Sequence, residues 1–225
     1  MERDMRATWD ALAAGDTTTY VGDPARGRAE LDALFGRLGG DPRGGTAIEV
    51  GCGPGRMTGA LAERFDHVVA LDVSPEMVAR AREAVRAAHV EVRTISGERL
   101  DGVADGSADV LVCYLVLQHL PSRGGVLAYL REFGRVLAPA GEAFVQLPVY
   151  DPGLAPRVWR RVRSLALPLV SRGAERSTAL RGTRLTQGEL DAGLAAARLR
   201  VVARDTGPDS PYRYATDVFL RLARA

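Results

Sequence analysis

The chain has 225 residues, 46% of them hydrophobic, and a net charge of +2, the composition of a globular domain large enough for a full core. No run approaches the ~18–20 apolar residues of a membrane span, and the charged start leads into no signal-type apolar stretch, so a cytoplasmic protein is expected. The two cysteines, Cys52 and Cys113, form no C-x-x-C pair and read as reduced near-core thiols, not as a disulfide or zinc site.

In chain order, residues 3–14 read as a helix, with Met5, Trp9 and Leu12 on one face. Residues 24–38 read as a second, with Leu31, Leu34, Phe35 and Leu38 apolar. Glycines and a proline at 39–45 then break the chain. Strands and helices follow: strand 46–50, helix 55–65, strand 67–72, helix 75–87, strands 89–94 and 108–113, helix 123–137, strand 141–147. Val68–Leu71 and Val110–Cys113 are unbroken apolar runs, as in parallel strands covered on both faces. Ser74-Pro75 supplies an N-cap and a proline at the first helical position, and Thr186-Gln187-Gly188-Glu189 is a capping box opening helix 187–197. The last two strands, 199–206 and 212–223, are too close for a helix between them and should pair antiparallel. The predicted fold is an α/β, Rossmann-like three-layer sandwich: a mostly parallel seven-stranded sheet with an antiparallel C-terminal strand, N-terminal helices, and a helical insert after the fifth strand.

Chemistry concentrates at Ala47-Ile48-Glu49-Val50-Gly51-Cys52-Gly53-Pro54-Gly55-Arg56 and at Leu71-Asp72. A strand runs into a glycine-rich turn, and a second strand ends on a carboxylate 21 residues after Gly51. This is the layout of a nucleoside site at strand ends, where glycine lets the backbone approach the ligand and the carboxylate accepts from ribose hydroxyls. A dinucleotide site usually reads G-x-G-x-x-G; here Arg56 stands at the third glycine, and the antiparallel C-terminal pair also departs from that fold.

Several ordered motifs resemble those of the class I S-adenosylmethionine-dependent methyltransferases. Glu49–Arg56 resembles the first motif, Leu71–Met77 the second and Ser96-Gly97-Glu98 the third. Asp109–Tyr114 with Gln118-His119-Leu120-Pro121 resembles the fourth, and Arg135–Glu142 the stretch before the fifth strand. The resemblance implies S-adenosylmethionine as cofactor, with Gly51, Gly53 and Gly55 under its methionine part and Asp72 on the ribose. It further implies Val73 and Met77 on the adenine, and Glu98 and the Arg99 backbone N–H at the adenine amino group. Glu49 and Arg56 are candidates for the amino and carboxylate ends of the methionine; a guanidinium suits a carboxylate through its planar fork. Tyr20 is placed to close over the cofactor, or else packs the leading helices on the core.

A sulfonium methyl is already a good electrophile, so methyl transfer needs alignment of a nucleophile more than it needs a base. His119 is the candidate base, and Tyr114 and Gln118 the candidate lining of the methyl channel. His67 and His89 begin strands at the opposite sheet edge. No Asn-Pro-Pro-Tyr-like sequence follows Val112, no Pro-Cys follows that strand, and no acid cluster has metal-ligand spacing, so no metal is expected.

All 30 basic residues are arginine, unevenly spread: residues 152–184 carry a net +7 and the rest a net −5. The domain is expected to divide into an N-terminal cover (1–45), a cofactor core (46–147), a substrate-lid insert (148–184) and a C-terminal helix and hairpin (185–225). In the insert, Val158, Val162, Leu165 and Leu169 share one helical face, Arg157, Arg160 and Arg161 another, with Trp159 at the boundary. A lid helix with these arginines favours an acceptor bearing carboxylate or phosphate; a solvated arginine face is the alternative. The expected reading is a methyltransferase acting on a small molecule, as a monomer or homodimer, with neither membrane nor nucleic acid as partner. An RNA or protein methyltransferase using the basic insert, and a non-methylating S-adenosylmethionine-binding protein, stand as alternatives.

Overall fold

The computed structural model describes residues 2–15, 23–153, 158, 183–207 and 215–225. Tyr20, Arg157, Trp159, Arg160 and Arg161 lie outside the described residues.

The elements are α1 (Glu2–Ala13), α2 (Pro24–Arg37), β1 (Thr46–Val50), α3 (Thr58–Ala62), β2 (His67–Asp72), α4 (Pro75–Ala84), β3 (Val90–Thr94), β4 (Ala108–Cys113), α5 (Arg123–Val136), β5 (Leu137–Tyr150), α6 (Gln187–Ala196), β6 (Leu199–Thr206) and β7 (Ala215–Arg224). A 3₁₀ turn, Leu117–His119, follows β4. The seven strands form one sheet in the order β3-β2-β1-β4-β5-β7-β6. Pairs from β3 to β5 are parallel, while β7 runs antiparallel between β5 and β6. The order reverses between β1 and β4, which opens a crevice at their carboxyl ends.

Sequence explains most starts. The Ser74 hydroxyl accepts from the Met77 N–H, Asp23 caps α2, Ser122 caps α5, and Thr186 and Glu189 form the reciprocal box on α6. The central strands are buried on both faces. Leu71, Leu111 and Val145 pack with α5 and α6 on one side; Val68, Val112 and Phe144 pack with α2 and α3 on the other.

Three elements differ from the periodicity reading. The helix expected over 55–65 is regular only at Thr58–Ala62, because the glycine loop extends through turn geometry to Met57. The helix expected over 75–87 ends at Ala84, where Val85 is already extended. β5 reaches from Leu137 to Tyr150, well beyond 141–147, since β7 pairs it from Glu142 to Tyr150.

Candidate functional site

The carboxyl ends of β1, β2 and β4 converge on the glycine loop. Gly51, Gly53 and Gly55 all have positive φ, at 74°, 54° and 89°. At Gly51 a Cβ would lie 2.3 Å from a Val116 methyl, so both the dihedral and the space demand glycine. At Gly55 it would press on the Ala81 backbone of α4 at 3.2 Å.

Asp72 ends β2 with its side chain turned back to this loop. One oxygen accepts the Gly53 N–H at 2.8 Å and the other the Ser74 N–H at 2.9 Å. Burial raises its pKa; the N–H groups of Ser74, Gly53 and Val73 oppose that, and Asp10 adds to it. A carboxylate has about four acceptor positions, so each oxygen keeps one for a ligand hydroxyl.

Glu49 stands in β1 beside it, 4% exposed. Thr58 donates its hydroxyl to Oε2 at 2.6 Å, and among the described residues nothing donates to Oε1. Burial pushes its pKa to about 8, against the Thr58 hydrogen bond, and the neighbouring Asp72 charge pushes the same way. Two buried carboxylates beside one loop form a site short of positive charge and short of donors.

Next to Asp72 in the chain, Val73 lines a cleft of about 600 Å³ together with Ser96, Gly97, Glu98, Arg99, Leu120 and Pro121. Helix α1 closes one side. Arg6 donates to the carbonyls of Val73 and Ile95 at 3.0 and 3.2 Å, and Asp10 pairs with the Ser74 hydroxyl. Two buried carboxylates with acceptor positions to spare, and a cleft lined by Val73 and Leu120, suit a ligand that carries hydroxyl or ammonium donors and an apolar face. By their acceptor chemistry the residues present fit S-adenosylmethionine, whose ribose hydroxyls and ammonium are donors.

Residues 48–145 match a family described as "Methyltransferase domain". This stretch contains Glu49, the three glycines, Asp72 and the cleft residues from Val73 to Arg99. Over residues 48–145 the chain is thus similar to methyltransferase domains.

A "Ubiquinone biosynthesis O-methyltransferase" of Xanthomonas oryzae pv. oryzae is 33% identical over 117 residues, 51% of this chain and 47% of that protein. The chain thus spans about half the length of the curated relatives it matches. A solved S-adenosylmethionine-dependent methyltransferase from Leishmania major superposes with a TM-score of 0.70 at 14% identity, covering 98% of this chain and 82% of that one. A geranyl diphosphate methyltransferase solved with S-adenosylmethionine superposes at 0.65 and 15% identity, covering 96% and 95%.

The fold places the other sequence-predicted residues unevenly. Val73, Glu98 and Arg99 line the cleft, while Met77 is 2% exposed, in the core and off the cleft wall. Arg56 is already engaged: it pairs with Glu30 of α2 and lies 5.9 Å over the Tyr114 ring. Gly27 lets α2 come that close, since a Cβ there would stand 2.1 Å from the Arg56 carbonyl. Burial raises the Tyr114 pKa, with Arg56 and Arg37 opposing. Gln118 is buried and its amide meets His119 Nε2 at 3.1 Å, while the Trp9 ring packs edge-on against His119 at 5.2 Å. His67 and His89 sit at the amino-terminal sheet edge, His89 against the Ala62 carbonyl at 2.9 Å. Cys52 and Cys113 are buried and free, their pKa values raised by burial. No helix among the described residues is long and apolar enough to cross a membrane.

Four polar residues escaped the motif reading: Arg6, Glu30, Gln146 and Asp217. Gln146 alone carried a signal, as the one polar residue in the apolar run Ala143–Val149.

Proposed function

We propose that this protein transfers the methyl group of S-adenosylmethionine to a small-molecule acceptor. The observation that carries it is the pair Glu49 and Asp72, buried at adjacent strand ends against a loop of three positive-φ glycines. In this reading Asp72 accepts from the ribose hydroxyls, and Glu49 ionises to accept the methionine ammonium. Val73 packs on the adenine, with Met77 behind it, and Glu98 and the Arg99 N–H serve its edge. Arg56, shared with Glu30, meets the methionine carboxylate, and Tyr20 closes over the cofactor.

S-adenosylmethionine supplies a methyl group on a positive sulfur. The chain supplies a fixed place for the acceptor nucleophile, and such positioning alone is worth ~7–11 kcal/mol. Tyr114 and Gln118 stand where that nucleophile would enter, beyond β4, and His119 is the nearby group able to take a proton. The insert expected from residue 148 starts only after β5 ends at Tyr150; in this reading it covers the acceptor, with Trp159 against it and Arg157, Arg160 and Arg161 drawing carboxylate or phosphate. Support for a small acceptor comes from the relatives' names, a ubiquinone-biosynthesis enzyme and a geranyl diphosphate enzyme.

The test is to add purified protein and methyl-labelled S-adenosylmethionine to host-cell lysate and fractionate by size. Enzyme-dependent label in small molecules is expected. Label in RNA or protein would move the basic insert to a macromolecular docking role. No label, with cofactor binding intact, would favour the non-methylating alternative. Asp72→Ala should weaken S-adenosylmethionine binding about tenfold or more, and undiminished affinity would overturn the ribose assignment.

A further inference from the structure

Past the end of β4 the backbone makes an unfavourable turn. Leu115 has φ of +59°, the left-handed region that a leucine occupies only when its surroundings hold it there. What faces it is Gln146 of β5, a glutamine with no exposed surface. Gln146 Oε1 accepts the Leu115 N–H at 3.1 Å. Its Nε2 donates to Asp217 Oδ1 of β7 at 2.9 Å. A carboxylate only accepts, so Asp217 sets which way the amide points and leaves its oxygen to Leu115.

The consequence reaches the glycine loop. Val116 follows Leu115, and its methyls occupy the space beside Gly51 that a Cβ would fill. Gly51 in turn donates its N–H to the Leu71 carbonyl at 2.7 Å, one residue before Asp72. Contacts therefore run without a break from Asp217 through Gln146, Leu115 and Val116 to the start of the loop.

We infer that Gln146, oriented by Asp217, is a positioning residue for the cofactor. It holds Leu115 left-handed so that Val116 braces the loop Gly51–Gly55 in its receiving shape. The inference rests on the proposal that this loop receives S-adenosylmethionine. Loss of the amide leaves Leu115 free to leave the left-handed region, and Val116 moves with it.

The experiment is calorimetric titration with S-adenosylhomocysteine, paired with the melting temperature of the unliganded protein. Gln146→Leu should weaken binding about tenfold, the population change expected from one strained left-handed residue. Adding Leu115→Gly to that variant should recover most of the affinity, because glycine enters the left-handed region without penalty. A glutamine that only packs the sheet would lower the melting temperature and leave affinity unmoved; that result overturns the inference. So does a loss that Leu115→Gly fails to recover. If Gln146→Leu does not fold, Asp217→Ala on the half-buried neighbour, alone and with Leu115→Gly, is read in the same way. Wild-type protein that does not bind S-adenosylhomocysteine defeats the functional reading itself, whereas binding wild type beside unaffected variants defeats only this inference.

Discussion

Glu49 shows how one residue couples the site to stability. Its carboxyl loses a proton near ~4.3 when the chain is unfolded, and at about 8 in the fold, where burial outweighs the Thr58 hydrogen bond. Between those values the folded state carries the extra proton. Its stabilising contribution is complete below the lower value and is lost as pH rises through the upper. Stability should therefore fall from about pH 5 to pH 8. Glu49→Gln, which cannot ionise, should flatten that fall by an amount on the order of 4 kcal/mol. Urea unfolding of both proteins across this range checks it, and parallel curves would mean that Glu49 is not buried as described. Glu49 and Asp72 were legible in the sequence because strand ends and motif spacing are local properties. Arg56 was legible only as a charge. Its partner Glu30 lies on α2, and nothing in the spacing of α2 from the loop reveals that they meet.

At the scale of elements, caps and strand runs are local and read directly, whereas close approaches between elements do not. Two glycines inside helices make the point. Gly36 in α2 has nothing within 4 Å of where a Cβ would sit, while at Gly134 in α5 a Cβ would stand 2.1 Å from the Ala197 carbonyl after α6. The first is a weak spot in a helix, the second a packing requirement. Gly36→Ala should stabilise by up to about 1 kcal/mol, through helix propensity. Gly134→Ala should destabilise by about 1–3 kcal/mol, since the obstructing atom is backbone and cannot rotate away. Denaturant midpoints moving in opposite directions would confirm the distinction; equal shifts would refute the α5–α6 approach. The lengths of α3 and β5 were misread for a similar reason. A loop whose turn geometry runs on to Met57 shortens the helix after it, and a strand extends as far as its partner pairs with it.

For the whole molecule, the seven-stranded sheet sets acid residues from β1 and β2 at one crevice and closes its mouth with α1. A ligand that binds this crevice only when the sheet is intact must stabilise the fold. S-adenosylhomocysteine at about 100 times its dissociation constant should add ~2.7 kcal/mol. For a domain of this size that raises the melting temperature by roughly 5–10 °C. No shift, with a cooperative melt, would count against the crevice as the cofactor site.

Local sequence was enough to read the succession of strands and helices along the chain, the glycine loop and the carboxylate that ends β2. These follow from periodicity, backbone freedom and capping, which act within a few residues of chain. The antiparallel pairing of β6 with β7 was also implicit, because the short link between them leaves no room for a helix; that β7 also pairs with β5 was not. Packing of the layers, in contrast, brings Arg56 to Glu30, ties α1 over the cleft through Arg6, and joins β7 to the turn after β4 through Gln146. Those contacts join residues 26, 67 and 71 positions apart or more. A side chain's partner at such separations is set by how the layers pack, and no local pattern encodes that.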